Sequence, residues 1–121
     1  MAIPDFQSLM LPLLQCYSDG EEHSNNDTVD QLAFQFKLTQ EEANELLSSG
    51  KQTKFYNRIG WARTYLLKSQ LIEMGACHYY KITIRGKEIL KSRPSRIDMQ
   101  FLQQFQNMWN LDRQNTFSHY F

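Results

Sequence analysis

The chain has 121 residues, 41% of them hydrophobic, and its 13 basic residues balance its 13 acidic residues. This length and composition suit one globular domain, while the two cysteines are too few for a disulfide framework. Because the chain has no apolar run near the roughly 20 residues of a membrane span and begins without a signal-peptide pattern, we expect a cytoplasmic protein with no membrane partner.

The first predicted element is an amphipathic helix that begins after Asp5, a suitable N-cap residue, and ends before Gly20. Its apolar residues recur at the i, i+3, i+4, i+7 spacing of one buried helix face. They are Phe6, Leu9, Met10, Leu13, Leu14 and Tyr17.

Two capping patterns predict the next helices. Ser24 and Asp27 open a second helix in the manner of a capping box. The core face of this helix is formed by Val29, Leu32, Ala33 and Phe36. Thr39 and Glu42 form a second capping box, and we expect the following Leu46 and Leu47 to lie on the short helix that it opens.

A long third helix is predicted from about Thr53 to Ser69, with an apolar stripe at helical spacing. The stripe consists of Phe55, Ile59, Ala62 and Leu66. Two short strands, 71–74 and 77–82, follow around a glycine-containing turn. Thr83 then caps a last helix, for which we expect Ile84, Ile89 and Leu90 to be the apolar positions.

This order of elements predicts a mainly α fold with a small β-hairpin, the winged helix-turn-helix arrangement. We place the winged-helix domain at residues 1–96. Beyond Pro94, a short amphipathic helix is expected from Ile97, Phe101, Leu102 and Phe105. Residues 97–121 are assigned to a C-terminal helical extension or tail that docks on the domain, joins a dimer or frays.

Charge is strongly segregated along the chain. Residues 1–45 hold nine acidic residues and one basic residue, whereas residues 46–96 hold eleven basic and two acidic residues. The stretch from Ser48 to Ile72 has five basic residues and no acidic one. A surface that faces a polyanion is the function favoured by this segregation, although charged residues also serve simply to solvate a surface.

The helix before the hairpin is the one that enters the major groove in winged-helix proteins, and here it is basic. A helical wheel places Thr53, Asn57, Gly60, Thr64 and Lys68 on its outward face, with Lys54, Arg58 and Trp61 on one flank and Arg63 on the other. We expect the cations to contact phosphates and Thr53, Asn57 and Thr64 to face bases. The predicted DNA-binding residues are therefore Lys51, Gln52, Thr53, Lys54, Asn57, Arg58, Trp61, Arg63, Thr64 and Lys68.

Two of these predictions have a plain structural alternative, as do the hairpin residues. Asn57 would equally be a solvated polar residue, and Trp61 a half-buried edge of the core. His78, Tyr79, Tyr80 and Lys81 would form a DNA-contacting wing, or would simply alternate between core and solvent along a strand.

No catalytic or metal site is predicted. Cys77 and His78 are adjacent, but the chain has no CxxC or HxxH spacing for zinc. Cys16 lies in an apolar helix with no evident base beside it. We therefore expect a protein that is not an enzyme and has no cofactor.

Several segments are similar to the N-terminal domain of Mrr-type restriction system proteins. They are Ile3–Phe6 with Met10–Leu14, Glu22–Ser24, Leu46–Thr53 running into Phe55–Leu66, Ile82–Thr83 with Gly86, and Ile97–Asp98 before Phe101–Leu102. The resemblance covers about residues 2–105. It implies a winged-helix DNA-binding domain, normally followed by a separate nuclease domain in systems that act on modified DNA. It points to Gly50, Lys51, Gln52, Asn57, Arg58 and Trp61.

We expect no nuclease domain in these 121 residues, so cleavage is not carried over from the resemblance. An excised domain, a truncated gene product and a stand-alone binder all fit. We expect double-stranded DNA as the partner, modified or not, together with a nuclease domain or subunit. The alternatives are a stand-alone transcriptional regulator, which would require a homodimer, and a protein-interaction module that uses the acidic N-terminal half and the aromatic tail.

Overall fold

The computed structural model of the chain describes residues 3–105. Their helices and strands are α1 (Phe6–Cys16), β1 (His23–Ser24), α2 (Asn25–Gln35), α3 (Gln40–Asn44), α4 (Lys54–Lys68), β2 (Ile72–Met74), β3 (Tyr79–Ile82), α5 (Ile84–Lys91) and α6 (Met99–Leu102), which continues into a 3-10 turn at Gln103–Phe105. The predicted mainly α, winged-helix-like architecture is confirmed. The predicted tail from residue 106 onward lies outside the described residues.

Short capping signals set the helix starts, as the sequence predicts. Asp5 and Ser24 each accept a hydrogen bond from the backbone N–H three residues further on, at 2.7 and 3.1 Å. Thr39 and Glu42 form the reciprocal capping box, in which each side chain accepts a bond from the other residue's backbone N–H. These bonds satisfy donors that a helix start otherwise leaves without a partner.

The core is built mainly where α1 packs against α4. Except for Phe6, which is partly buried, the predicted apolar stripes are buried there: Leu9, Met10, Leu13, Leu14 and Tyr17 from α1 and its C-cap, and Phe55, Ile59, Ala62 and Leu66 from α4. Each large apolar side chain contributes about 1.5–3 kcal/mol when fully buried. This packing fixes the inner face of α4 and thereby determines which of its residues point away from α1.

A three-stranded antiparallel sheet with strand order β1-β3-β2 closes one side of the domain. The predicted hairpin pairs Ile72 with Ile82, and both side chains are buried. The strand β1 has no counterpart in the predictions because two residues are too few to show alternation. It pairs His23 with Tyr80 and so joins the start of α2 to the hairpin.

The prediction for Leu46 and Leu47 is wrong. The helix α3 ends at Asn44, and Leu46 instead forms an isolated antiparallel bridge with Thr53. The backbone N–H of Leu47 donates to the Gln52 carbonyl at 2.9 Å. These backbone groups therefore bond across a loop rather than along a helix, which leaves Leu46 exposed.

The start of α5 also departs from the predicted pattern. Thr83 caps the helix as expected, and its Oγ1 accepts a bond from the Gly86 backbone N–H at 3.0 Å. Ile84, however, is exposed, while Ile89 and Leu90 pack against the core. Ile84 is the first residue of α5, and its side chain points away from the core because the apolar stripe begins further along the helix.

The core extends past the boundary expected at residue 96. Ile97 and Leu102 are fully buried members of the main core, and Asp98 caps the short helix α6 between them. A short helix does lie in this segment, but α6 spans only Met99–Leu102, so Ile97 precedes it and Phe105 belongs to the 3-10 turn. Throughout residues 3–105, none of the helices combines the length and apolarity that a bilayer crossing demands.

Candidate nucleic-acid interface

A tight loop of residues 45–53, the lead-in loop, presents the N-terminus of α4. The backbone N–H of Lys54 donates to the Glu45 carbonyl at 2.8 Å and closes the loop. Gly50 has φ +74°, a left-handed conformation that glycine adopts without strain. The turn at Gly50 leaves Lys51 exposed beside the start of the helix.

The N-terminus of α4 carries a formed cap and the positive end of a 15-residue helix dipole. Thr53 is the N-cap residue, and its Oγ1 accepts a hydrogen bond from the Tyr56 backbone N–H at 3.0 Å. The Thr53 hydroxyl oxygen is therefore engaged inside the domain, although its side chain is only half-buried. This helix start favours an anion next to Lys51.

Two amide side chains are held together at this end of α4. Asn57 Nδ2 donates to Gln52 Oε1 at 3.0 Å, so the lead-in loop orients the side chain of Asn57. The bond uses one N–H of Asn57, and its Oδ1 and second N–H remain able to pair with a base edge. Because these groups are an acceptor and a donor, the pair matches the N6 and N7 positions of adenine.

Lys54 and Arg58 have partners within the domain. Lys54 Nζ forms an ion pair with the Glu45 carboxylate. Arg58 Nη1 donates to the backbone carbonyls of Ile3 at 3.0 Å and Pro4 at 3.4 Å, which ties the segment before α1 to α4. Both cations are partly exposed, so a phosphate would compete with these bonds rather than meet a free charge.

Trp61 lies at the rim of the core. It is 37% exposed and stacks on Tyr65, with ring centroids 6.2 Å apart and an interplanar angle of 25°. Tyr65 in turn contacts the Phe6 ring at 5.7 Å. This chain of rings agrees with a half-buried edge of the core, and one part of the indole still reaches the surface.

The predicted outward orientation of Thr64 and Lys68 is wrong, since each side chain is only 2% exposed. Thr64 Oγ1 donates to the Gly60 carbonyl of its own helix at 3.0 Å. The helical wheel places these residues outward only if α4 is covered by the rest of the domain on a single face. The strand β2 follows α4 directly and packs back against it, so the second half of the helix is buried on a further face.

Arg63 is also buried rather than flanking an exposed ridge, at 7% exposure. Its Nη2 donates to Thr28 Oγ1 at 3.4 Å, and its guanidinium carbon lies 5.7 Å from the centre of the Tyr80 ring. Within residues 3–105 the structure gives it no ion pair with a carboxylate. Burial raises the pKa of the Tyr17 hydroxyl, and the nearby charge of Arg63 opposes that rise.

The side chains of α4 that point away from α1 form one wall of a groove of about 500 Å³. Tyr56, Asn57 and Arg63 lie on this wall, and Met74 and His78 of the hairpin lie opposite. Asn25, at the start of α2, completes the groove. Gln52 and Asn57 belong to the same lining, so the groove joins the paired amides of the lead-in loop to the hairpin.

The hairpin residues largely follow the structural alternative. Tyr79 is exposed and Tyr80 is nearly buried, as expected for a strand that alternates between solvent and core. His78 is exposed in the turn, where its φ of +65° places it in the left-handed region. Of the four residues predicted to form a wing, His78 is thus the one that both lines this groove and is exposed.

The two cysteines differ in environment. Cys16 is buried in α1, and burial raises the pKa of its thiol to about 11. Cys77 is exposed in the hairpin turn and lines the groove. Among residues 3–105, no three or more His, Cys, Asp or Glu side chains come together in a way that could hold a metal ion.

Sequence reasoning missed Asn25 and misjudged Arg63. Arg63 had a readable signal, because it lies four residues after Ile59 and therefore one turn from a core position. Asn25 follows the capping residue of α2 and has no such signal. The pairing of β1 with β3, which the sequence did not predict, contributes to bringing the start of α2 to the groove.

Comparison with known families supports the resemblance seen in the sequence. The family model described as the Mrr N-terminal domain matches residues 6–92, which run from α1 to the end of α5 and include the lead-in loop and the groove. Comparisons with curated proteins and with solved structures gave no match. The family match associates the chain with Mrr-type restriction systems. Because it covers well over half of the residues, the chain belongs to the Mrr N-terminal domain family.

Proposed function

We propose that this chain is a DNA-binding module of an Mrr-type restriction system and has no nuclease centre of its own. One observation carries the proposal: the lead-in loop brings exposed Lys51 and the Gln52–Asn57 amide pair to the N-terminus of α4. In winged-helix proteins the helix before the hairpin enters the major groove, and residues near its N-terminus contact bases.

The proposed contacts are concentrated in the lead-in loop and the first two turns of α4. Lys51 contacts a phosphate near the helix terminus, where the dipole also favours an anion. Gln52 and Asn57 face base edges, and Thr53 lies between them. Lys54 and Arg58 add phosphate contacts by exchanging their bonds to Glu45 and to the N-terminal segment.

The proposal assigns no DNA contact to the buried residues of α4. Thr64 and Lys68 lie too deep to contact a duplex on the surface of the folded domain. Trp61 lies at the edge of the contact area, where its exposed part packs against a sugar or phosphate. The proposed interface is therefore small, and its affinity depends on few cations and on the Gln52–Asn57 amide pair.

The proposal is tested by the salt dependence of duplex binding for the Lys51→Gln variant of the full chain. Each phosphate contact contributes about 0.9 to the slope of log affinity against log salt. Losing one contact therefore reduces the affinity change between about 50 and 200 mM salt by about 3.5-fold. Fluorescence anisotropy with a short labelled duplex measures both the slope and the affinity.

Lys91→Gln is the matched control, because Lys91 is an exposed lysine on α5 and its loss changes the net charge equally. We expect the control to retain the slope and affinity of the wild-type protein. Equal effects of both substitutions would show general electrostatic attraction and contradict the proposed docking surface. If the wild-type protein binds no duplex at low salt, methylated or unmethylated, the proposed function is wrong.

A second candidate function is docking of a protein partner on α2. Phe34 is 88% exposed there, on a helix whose surface also carries Asp27 and Asp30. A large exposed aromatic residue among acidic ones favours a basic partner with an apolar pocket. If the chain binds DNA through α4, Phe34→Ser leaves the DNA affinity unchanged. If the wild-type chain binds no DNA, the protein-docking function gains support.

The regulator alternative differs from the restriction-module proposal in its oligomeric state and its sequence preference. A regulator would bind as a homodimer to a defined operator with two half-sites. Sedimentation together with selection from a random pool of duplexes separates the two functions. A monomer that enriches no motif argues against a regulator.

A further inference from the structure

Two buried polar atoms, on residues that line the groove between α4 and the hairpin, have no hydrogen-bond partner within residues 3–105. They are Asn25 Oδ1 and Arg63 Nε, and both residues line the groove. The Arg63 side chain is more than nine-tenths buried, and its charge is not paired with a carboxylate of the described part of the chain. Unsatisfied polar atoms and unpaired buried charge destabilise a fold, so they call for an explanation, and a bound ligand supplies one.

The two atoms require complementary groups on that ligand. Arg63 Nε–H is a donor and needs an acceptor, whereas Asn25 Oδ1 is an acceptor and needs an N–H or O–H donor. The oxygens of a phosphate diester or a carboxylate only accept. A nucleobase offers both functions on one flat edge, because an amino or imino group lies next to a carbonyl oxygen or a ring nitrogen.

The size and walls of the groove suit a planar heterocycle. Tyr56 and Tyr80 line it, and the partly exposed ring of Tyr56 is an aromatic surface of the kind on which bases stack. Its volume of about 500 Å³ leaves room for one base. Asn57 at one side of the groove and His78 at the other are both accessible from the surface, and Asn57 belongs to the proposed duplex contact.

We infer that this groove takes up one nucleobase turned out of the bound duplex. Arg63 Nε–H donates to a carbonyl oxygen or ring nitrogen of the base, and Asn25 Oδ1 accepts from its amino or imino group. This inference rests on the proposed function, since the duplex has to dock on α4 before one of its bases can reach the groove.

The test compares a fully paired duplex with one that contains a single mismatch. A weakened base pair lowers the cost of extrusion, so a protein that binds an extruded base prefers the mismatch. We expect the wild-type chain to bind the mismatched duplex about tenfold more tightly. Arg63→Gln and Asn25→Ala each reduce this preference to about twofold or less.

Blocking the groove in the native protein avoids any effect of these substitutions on folding. The chain has only two cysteines, Cys16 and Cys77; Cys16 is buried, whereas Cys77 is exposed and lines the groove. Benzyl methanethiosulfonate attaches a benzyl group to Cys77 through a disulfide. This removes the mismatch preference, dithiothreitol restores it, and the Cys77→Ser control does not respond to the reagent.

The outcomes separate the inference from the proposed function. Binding of both duplexes with equal affinity, unaffected by the block at Cys77, overturns the inference and leaves DNA binding intact. Absence of binding to either duplex overturns the proposed function. If free deoxynucleosides shift the amide resonances of the groove while the mismatch gives no preference, the groove binds free bases, and extrusion from a duplex is wrong.

Discussion

Replacement of Arg63 by methionine is expected to stabilise the folded protein. The side chain is buried, its Nε has no hydrogen-bond partner in the described part of the chain, and no described carboxylate balances its charge. Methionine retains most of the aliphatic volume and fits irregular space in a core. A residue kept for ligand binding at the expense of stability behaves in this way when it is replaced by an apolar one.

The expected change in unfolding free energy is the balance between the contacts that are lost and the unsatisfied polar groups that are removed. The bond to Thr28 is long, at 3.4 Å, and its loss costs about 0.5 kcal/mol. The contact with the Tyr80 ring at 5.7 Å adds about 0.5–1 kcal/mol to the loss. Removing the unsatisfied Nε stabilises the folded protein by about 1–3 kcal/mol, and removing an unpaired buried charge stabilises it further. The expected net gain is about 2 kcal/mol.

Urea unfolding of the full chain measures this change. A gain of stability raises the midpoint without changing the slope m, and about 2 kcal/mol corresponds to a rise in Tm of about 8 °C for a domain of this size. Arg63→Lys is the control, because it keeps the charge but cannot reproduce the planar contact with Tyr80. We expect this control to be less stable than the wild-type protein.

A lower midpoint for Arg63→Met at unchanged m would refute this reasoning. It would show that the folded protein compensates the guanidinium charge, and a ligand would no longer be needed to explain the burial of Arg63. A gain in stability accompanied by loss of the mismatch preference would instead link the two effects. In that case Arg63 is retained because it binds a ligand and not because it supports the fold.

Three further predictions concern the fold and the interface. Gly86→Ala should destabilise the protein by about 2–3 kcal/mol in urea unfolding, because a Cβ there would overlap the Leu71 carbonyl oxygen; an unchanged midpoint would contradict this packing. A hydrogen bond from a backbone N–H in the first turn of α1 holds the pKa of Asp5 below its ordinary value. Its stabilisation is therefore complete above the unfolded pKa of about 3.9 and is lost as the pH falls through the lower folded value. Asp5→Asn should keep the cap but weaken the acid dependence of unfolding free energy below about pH 4, whereas Asp5→Ala should cost about 1 kcal/mol at neutral pH. Glu45→Gln releases Lys54 from its ion pair and should raise duplex affinity about threefold at low salt, and unchanged binding in anisotropy would place Lys54 outside the interface.

The helix starts and the core stripe of α4 were predictable because their signals are local. Thr53 and Thr39 each cap a helix through a bond that spans three residues, and the sequence displays that spacing directly. Phe55 and Ile59 lie one turn apart on the face buried by α1. A periodic pattern identifies such a face whatever packs against it.

The burial of Thr64 and Lys68 could not be read from the same pattern. Their environment depends on a strand that folds back over the second half of α4, and no residue within α4 specifies that return. The groove is still harder to predict from the sequence, because it depends on contacts between separate elements. It needs Asn25 of α2 beside Arg63 of α4, and the pairing of β1 with β3 that brings the start of α2 there involves only two residues.

The acid-free stretch 48–72 has less exposed charge than its composition indicates. Of its five cations, Lys51 alone is exposed, Lys54 and Arg58 are partly exposed with partners in the domain, and Arg63 and Lys68 are buried. If these three accessible cations are the phosphate contacts, the salt slope should lie between about −1 and −3. A steeper slope would require further basic residues outside this stretch, whereas a slope in that range leaves the paired amides and the groove to supply the remaining affinity.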